Sequence, residues 1–201
     1  SSVQSHRISA AVQPRYETQL AFRVSGNISK RVVEVGQRVE RDQLLLQLDD
    51  SDYRLALAAA QQELRAAEAE ASLAESDAKR SAQIFAKALL GRSELERQQS
   101  RAIAAKARLQ QATKRLQLAA NQLQYTELRA PMSGVVTTLQ AEPGQVVREG
   151  QVLLTLADPT QLDIVADIPE TLREGLAGLQ ASAQLSIAGS KQQVSLRLRE
   201  T

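Results

Sequence analysis

The spacing of hydrophobic and polar positions changes twice along this chain. Between about Asp50 and Gln124, small and apolar residues recur at alternating steps of three and four. One run is Leu57, Ala60, Leu64, Ala67, Ala71, Ala74, Ala78, Ser81, Phe85 and Ala88; the next is Leu95, Gln98, Ala102, Ala105, Leu109, Ala112, Leu116, Ala119 and Leu123. A seam averaging about 3.5 residues per turn keeps facing a partner helix over many heptads, which is the pattern of a coiled coil. No proline interrupts either run. The stretch Leu89-Leu90-Gly91-Arg92-Ser93-Glu94-Leu95-Glu96 reads as a stop and a restart. Gly91 is expected to take the left-handed conformation that closes a helix, and Ser93 with Glu96 has the spacing of a capping box. So short a connection makes the helices antiparallel, and at about 1.5 Å per residue they form a rod on the order of 45–55 Å long.

Outside the rod the period falls to two. Val3 to Gln13 alternates weakly and is expected to be an edge strand ended by Pro14. Thr18 to Leu48 carries short apolar runs punctuated by Gly26 and Gly36, and that punctuation returns after the helices. Gly26-Asn-Ile, Gly36-Gln-Arg-Val, Asp42-Gln-Leu-Leu-Leu-Gln-Leu and Asp50 match Gly134-Val-Val, Gly144-Gln-Val-Val, Gly150-Gln-Val-Leu-Leu-Thr-Leu and Asp158. Each copy runs 24 residues from first Gly to last Asp. Two copies of one supersecondary unit are expected to pack on each other, since neither buries its apolar face alone. The rod lies between them, so chain entry and exit must be side by side, as the base of a hairpin requires. After Asp158, Leu162, Ile164 and Ala166 alternate inward along a strand, Glu170 to Gly178 is a short helix or turn, and Ser182–Ile187 and Val194–Leu198 are further strands.

Composition narrows the classes of chemistry. The chain has 201 residues and 43% hydrophobic content but only 2% aromatics. Small residues with few large ones suit close helix packing in an elongated α+β chain better than one thick core. A net charge of +2, with no aromatics among the bases as stacking platforms, gives no footing for nucleic acid. There is no cysteine, and His6 is the only histidine, so neither a thiolate centre nor a multi-histidine metal site can be assembled. The cluster Asp49, Asp50 and Asp52 suits the positive end of a helix dipole and the capping of its free amides better than metal binding. No glycine-rich phosphate loop lies between a strand and a helix, so no cofactor is expected. No run reaches a membrane span, and Ser1-Ser2 shows no leader; the chain is expected to be soluble throughout or to have lost an upstream anchor. Charge on the rod is polarised. Residues 49–78 carry eight acids against Arg54 and Arg65, and residues 79–110 carry eight bases against Glu94 and Glu96. Bases at the start of the second helix oppose its dipole, which leaves two readings, a surface for a partner or a solvated charged face.

Leu128-Arg-Ala-Pro-Met-Ser-Gly-Val-Val136, followed by Pro143-Gly-Gln-Val-Val and Gly150-Gln-Val-Leu, resembles the second half of a lipoyl-type β-sandwich. A lipoyl-like domain split by a coiled-coil hairpin is similar to the periplasmic adaptors, or membrane-fusion proteins of the HlyD-like family, of bacterial tripartite efflux pumps. The resemblance implies a strand for a β-barrel at residues 1–17, lipoyl-like halves at 18–50 and 126–158, the hairpin at 51–125 and an incomplete barrel at 159–201, as in a fragment. It further implies a non-enzymatic adaptor in the periplasm, anchored to the inner membrane through a segment absent from this chain. Its partners would be an inner-membrane transporter, RND-type ahead of an ABC-type exporter or type I secretion system, an outer-membrane channel, and copies of itself in a ring, a hexamer by resemblance. Lipoyl and biotinyl carriers hold a lysine where their halves join; here that place is Leu48-Asp-Asp-Ser-Asp-Tyr53, without lysine, which disfavours a carrier. Family tips present an Arg, an apolar residue four on and a Ser eleven on to the channel. Arg80 and Ile84 match the first two, Gly91 stands in place of the Ser, and Ser93 is displaced by two. With the neighbouring cations, the resemblance implies channel contact by Arg80, Ile84, Lys87, Gly91, Arg92 and Arg97.

Overall fold

The computed structural model describes residues 10–166, 181–187 and 190–196. The chain divides into two units, Pro14–Gln161 and a smaller one drawn from Ser1–Gln13 and Leu162–Thr201. In the smaller unit, β1 (Ala10–Pro14) pairs with β10 (Leu162–Ala166), and β11 (Ala181–Ile187) pairs antiparallel with β12 (Ser190–Leu196). Leu162, expected to face inward, is 57% exposed. The start of the expected first strand, and the helix or turn at Glu170 to Gly178, lie outside the described residues.

The larger unit is a β-sandwich split by a helical hairpin. Its first copy of the repeat supplies β2 (Glu17–Ala21), β3 (Gly26–Arg31), β4 (Arg38–Val39) and β5 (Leu44–Leu48). Then come α1 (Ser51–Ala86) and α2 (Arg92–Gln124), followed by β6 (Glu127–Arg129), β7 (Gly134–Leu139), β8 (Val146–Val147) and β9 (Val152–Ala157). The sheets run β2-β9-β7-β4 and β6-β5-β3-β8, so each takes two strands from each copy. In one sheet Gly26 lies opposite Val147; in the other Gly134 lies opposite Val39, the same pair with the copies exchanged. The Gly36 amide donates to the Val136 carbonyl at 2.8 Å, and the Gly144 amide donates to that of Ile28 at 2.8 Å. A pseudo-two-fold axis therefore relates the copies. Ile28, Leu45, Leu46 and Leu48 from one and Val136, Val147, Leu153, Leu154 and Leu156 from the other form a single core with Phe22. Removing either copy would expose the apolar face of the other, at roughly 1.5–3 kcal/mol for each large side chain returned to water.

Four turns close the strands in one way: Glu34 to Gln37, Glu40 to Gln43, Glu142 to Gln145 and Arg148 to Gln151. In each, the Gln amide donates to the carbonyl of the first residue, and the Gln Oε1 accepts from that residue's amide. The third residue has positive φ, +84° at Gly36, +65° at Asp42, +87° at Gly144 and +76° at Gly150. Glycine carries this conformation without Cβ strain, and aspartate is one of the few other residues that tolerates it. A Cβ on Gly134 would fall 2.6 Å from the Ala157 carbonyl oxygen, so close strand approach requires glycine there too.

The helices hold the register read from their spacing. Ala60, Ala67, Ala105, Ala112 and Ala119 are buried, and every other seam position is half-buried except Ala88. Glu70 pairs with Arg108 at 2.6 Å, and Glu63 pairs with Arg115. The second pair is one heptad below the first on both helices, as antiparallel packing demands. Ala88 is exposed because α1 has already ended at Ala86.

Candidate functional site

Among the described residues no enclosed constellation of reactive side chains stands out, and no group of three or more His, Cys, Asp or Glu side chains could hold a metal ion. The described residues singled out from the sequence lie at the two ends of the hairpin.

At the tip the chain closes α1 with paired backbone bonds, the Ala88 amide donating to the Phe85 carbonyl at 2.8 Å and the Leu89 amide to that of Ile84 at 3.2 Å. This is a Schellman cap, whose left-handed residue is Ala88 at φ +56°. Gly91 does not have the left-handed conformation expected of it. It has φ −74° and ψ 148° and is the N-cap of α2, its carbonyl accepting from the Glu94 and Leu95 amides. Ser93 is not a cap either, because α2 begins at Arg92 and no side chain caps it. An alanine with left-handed backbone costs about 1–2 kcal/mol, and the bonds around it hold that strain in place.

Of the tip residues taken from the family pattern, Arg80 pairs with Asp77 at 2.7 Å and Arg97 with Glu94 at 3.1 Å, both within one helix turn. Exposed pairs of this kind contribute about 0–1 kcal/mol. Lys87 and Arg92 form no ion pair or side-chain hydrogen bond among the described residues. Ile84 is 40% exposed and Leu89 is 76% exposed. The polarised charge therefore has a partial structural account: Arg108 and Arg115 neutralise acids of α1, Arg80 and Arg97 neutralise neighbours on their own helices, and the closing loop keeps unpaired positive charge. Leu89 was not marked by the spacing, since it belongs to neither seam. Its signal was its position just after the last seam residue.

At the root, the carboxylates belong to the helix start. Asp49 Oδ1 accepts from the Ser51 hydroxyl at 2.6 Å and from the Ser51 amide at 3.0 Å, and these bonds hold its carboxyl below the usual range. Asp50 is the N-cap residue, yet its side chain caps no amide. It is bonded to Arg54 at 2.8 Å, which lowers its pKa. The capping expected of the cluster is thus made by Asp49 alone. Tyr53 Oη donates to the Ser25 carbonyl at 2.7 Å, and the Arg23 guanidinium lies 3.9 Å from the centre of the Tyr125 ring. One tyrosine from each helix foot thereby braces the rod on residues 23–25. The place where a carrier would hold its lysine is the exit of the chain into α1.

A family model described as RND MFP, barrel-sandwich hybrid domain, matches residues 17–164. The multidrug resistance protein MdtA of Klebsiella pneumoniae is 28% identical over 96% of this chain and 52% of its own length. The chain thus spans about half the length of that relative. Among solved structures, the membrane fusion protein Spr0693 of Streptococcus pneumoniae aligns over 96% of this chain and 82% of its own, with 16% identity and a TM-score of 0.68. ZneB of Cupriavidus metallidurans aligns over 95% and 82%, with 18% identity and a TM-score of 0.66. At such identities the two structures speak for the fold: a sandwich split by a long two-helix hairpin, with barrel strands.

Proposed function

Since this chain belongs to the RND membrane-fusion protein family through its barrel-sandwich hybrid domain, we propose that it is the periplasmic adaptor of a bacterial efflux pump. It links an inner-membrane transporter, of RND type, to an outer-membrane channel. The observation that carries the reading is a braced rod whose tip presents apolar groups and unpaired cations. A rod of two helices buries little at its end, so Ile84, Lys87, Leu89 and Arg92 have few partners within the chain. Arg80, Ile84, Lys87, Gly91, Arg92 and Arg97 make up the surface offered to the channel. The sandwich and barrel strands serve the transporter side, and copies stand side by side in a ring, six by family resemblance. The role is mechanical and not catalytic, and the protein is held at the inner membrane by a part of it beyond this chain.

The test is export in cells whose full-length gene carries Lys87→Glu and Arg92→Glu. These two bases are chosen because reversing them breaks no ion pair within the described residues. Like charges set against each other across an interface cost several kcal/mol, so export should fail while the melting temperature stays within about 2 °C, as expected for exposed charges. Normal export with normal expression would remove the tip from the mechanism.

A further inference from the structure

We propose that the foot of α2 carries a binding site for a small amphiphilic monocarboxylate, with the Arg23 guanidinium as its receptor. Nothing in the adaptor reading requires such a site. A cleft of about 280 Å³ opens where α2 meets the edge of the sandwich, between Arg23, Tyr125 and Arg129, with Ala21, Phe22 and Leu128 in its wall. The Arg23 guanidinium lies over the Tyr125 ring, 3.9 Å from its centre, so the ring holds it in place. Arg23 makes no hydrogen bond or ion pair among the described residues, which leaves its N–H fork free. The repeat supplies an internal control. Arg23 corresponds to Pro131 in the second copy, and the backbone is held alike in both: the Gly150 amide donates to the Phe22 carbonyl at 3.0 Å, and the Asp42 amide to that of Ala130 at 2.8 Å. Proline satisfies the fold at this position, so the segment joining β2 to β3 does not demand an arginine. Bracing Tyr125 accounts for the ring contact but not for the free fork.

Charge and shape choose the ligand. Arg129 is committed: its Nε and Nη2 donate to Glu127 Oε2 at 3.0 and 2.6 Å, and its Nη1 donates to the Asp42 carbonyl at 2.9 Å. Glu127 and Asp42 also line the cleft, and the C-terminal end of α2 adds negative potential. A phosphate or other polyvalent anion would face those charges, whereas a single carboxylate matches one free guanidinium fork. The apolar wall suits a hydrophobic body behind that carboxylate, and a volume just under the usual range for ligand pockets keeps the body small. Small aromatic and fatty acids meet both terms. Bound there, the ligand lies against the foot of α2 and residues 21–23 together, so its binding stabilises the root of the rod.

The experiment titrates the full-length protein by calorimetry with naphthoate, and with naphthamide, which has the same body without the charge. Naphthoate should bind, and naphthamide should bind at least roughly tenfold more weakly. Arg23→Ala should weaken naphthoate binding by roughly tenfold or more. Arg23→Lys keeps a cation beside Tyr125 but loses the fork, and should also bind more weakly than wild type. Arg38→Ala, on the opposite edge strand β4, should bind as wild type does. Naphthoate should raise the melting temperature of the wild type and leave that of Arg23→Ala where it was. No binding by the wild type, or wild-type affinity in both Arg23 variants, overturns the site. Equal affinity for naphthamide overturns the carboxylate receptor, and displacement of naphthoate by an equal concentration of inorganic phosphate overturns the choice of a monoanion.

Discussion

Replacing Ala112 by phenylalanine tests the close approach of the two helices. Ala112 is 2% exposed at the middle of the seam, with Ala105 and Ala119 buried one heptad to either side. Those neighbours hold the helices near one another, so a ring placed between them cannot be accommodated by separating the rod at a single level. Overpacking of this kind costs about 1–3 kcal/mol, and phenylalanine in place of alanine adds roughly 0.5 kcal/mol of lost helix propensity. Ala107→Phe, on the exposed side of the same helix, carries only the propensity cost and is the control. For a protein of this size, 1 kcal/mol moves the melting temperature by about 2–4 °C. By the same conversion, Ala112→Phe should melt roughly 3–14 °C lower than wild type, and Ala107→Phe about 1–2 °C lower. Circular dichroism at 222 nm follows both, because the helices dominate the signal. Equal melting temperatures for the two variants would show that Ala112 does not set the helix separation.

At Gly144 a Cβ would meet nothing within 4 Å, so Gly144→Val isolates backbone strain at φ +87°; it should destabilise by about 1–2 kcal/mol in urea unfolding, and an unchanged midpoint would refute the turn geometry. The carboxyls of Asp49 and Asp158 are held low by the Ser51 and Thr160 hydroxyls, Asp50 by its bond to Arg54, and Glu75 by its bond to Lys79. Groups with lowered pKa in the folded state contribute stability that is present above their unfolded values and lost as pH falls through the folded ones. Melting temperature should accordingly hold from pH 7 to 5 and fall below about pH 4, with a smaller fall in Ser51→Ala.

The hairpin was legible because one physical rule governs it. A 3.5-residue period has to face something over its whole length, and every seam position but Ala88 is at least half-buried. The repeat was legible from fixed offsets, though not its last residue. Spacing aligns Asp50 with Asp158, but the Asp49 bonds to Ser51 are the counterpart of the Asp158 bonds to Thr160. The cause is strand length: β9 runs on to Ala157, whereas β5 stops at Leu48. At the tip, local rules conflicted. Gly91 suits a left-handed stop, yet the extended N-cap of α2 needs that position, and the stop moved back to Ala88, where no glycine was available. The four glutamine-closed turns have a sequence signature, a glutamine directly after the positive-φ residue, but Asp42 in place of glycine in one of them obscured it.

The interleaving of the sheets explains how a rod can be inserted without loss of strand pairing. In the second copy, β9 takes β2 as its neighbour; in the first, β5 takes β6, the equivalent strand that arrives only after both helices. Gln47 lies opposite Glu127 at the end of that pairing, and the Leu48 amide donates to the Thr126 carbonyl at 2.9 Å. Both feet of the hairpin therefore stand on adjacent strands of one sheet, and the slot left by splitting the domain is filled by the chain returning from the tip. The rod cannot tilt at its root without straining the β5–β6 ladder, the Tyr53 bond to Ser25 and the Arg23–Tyr125 contact together. That coupling ties the direction of the tip to the sandwich, which a part working by reach and orientation requires.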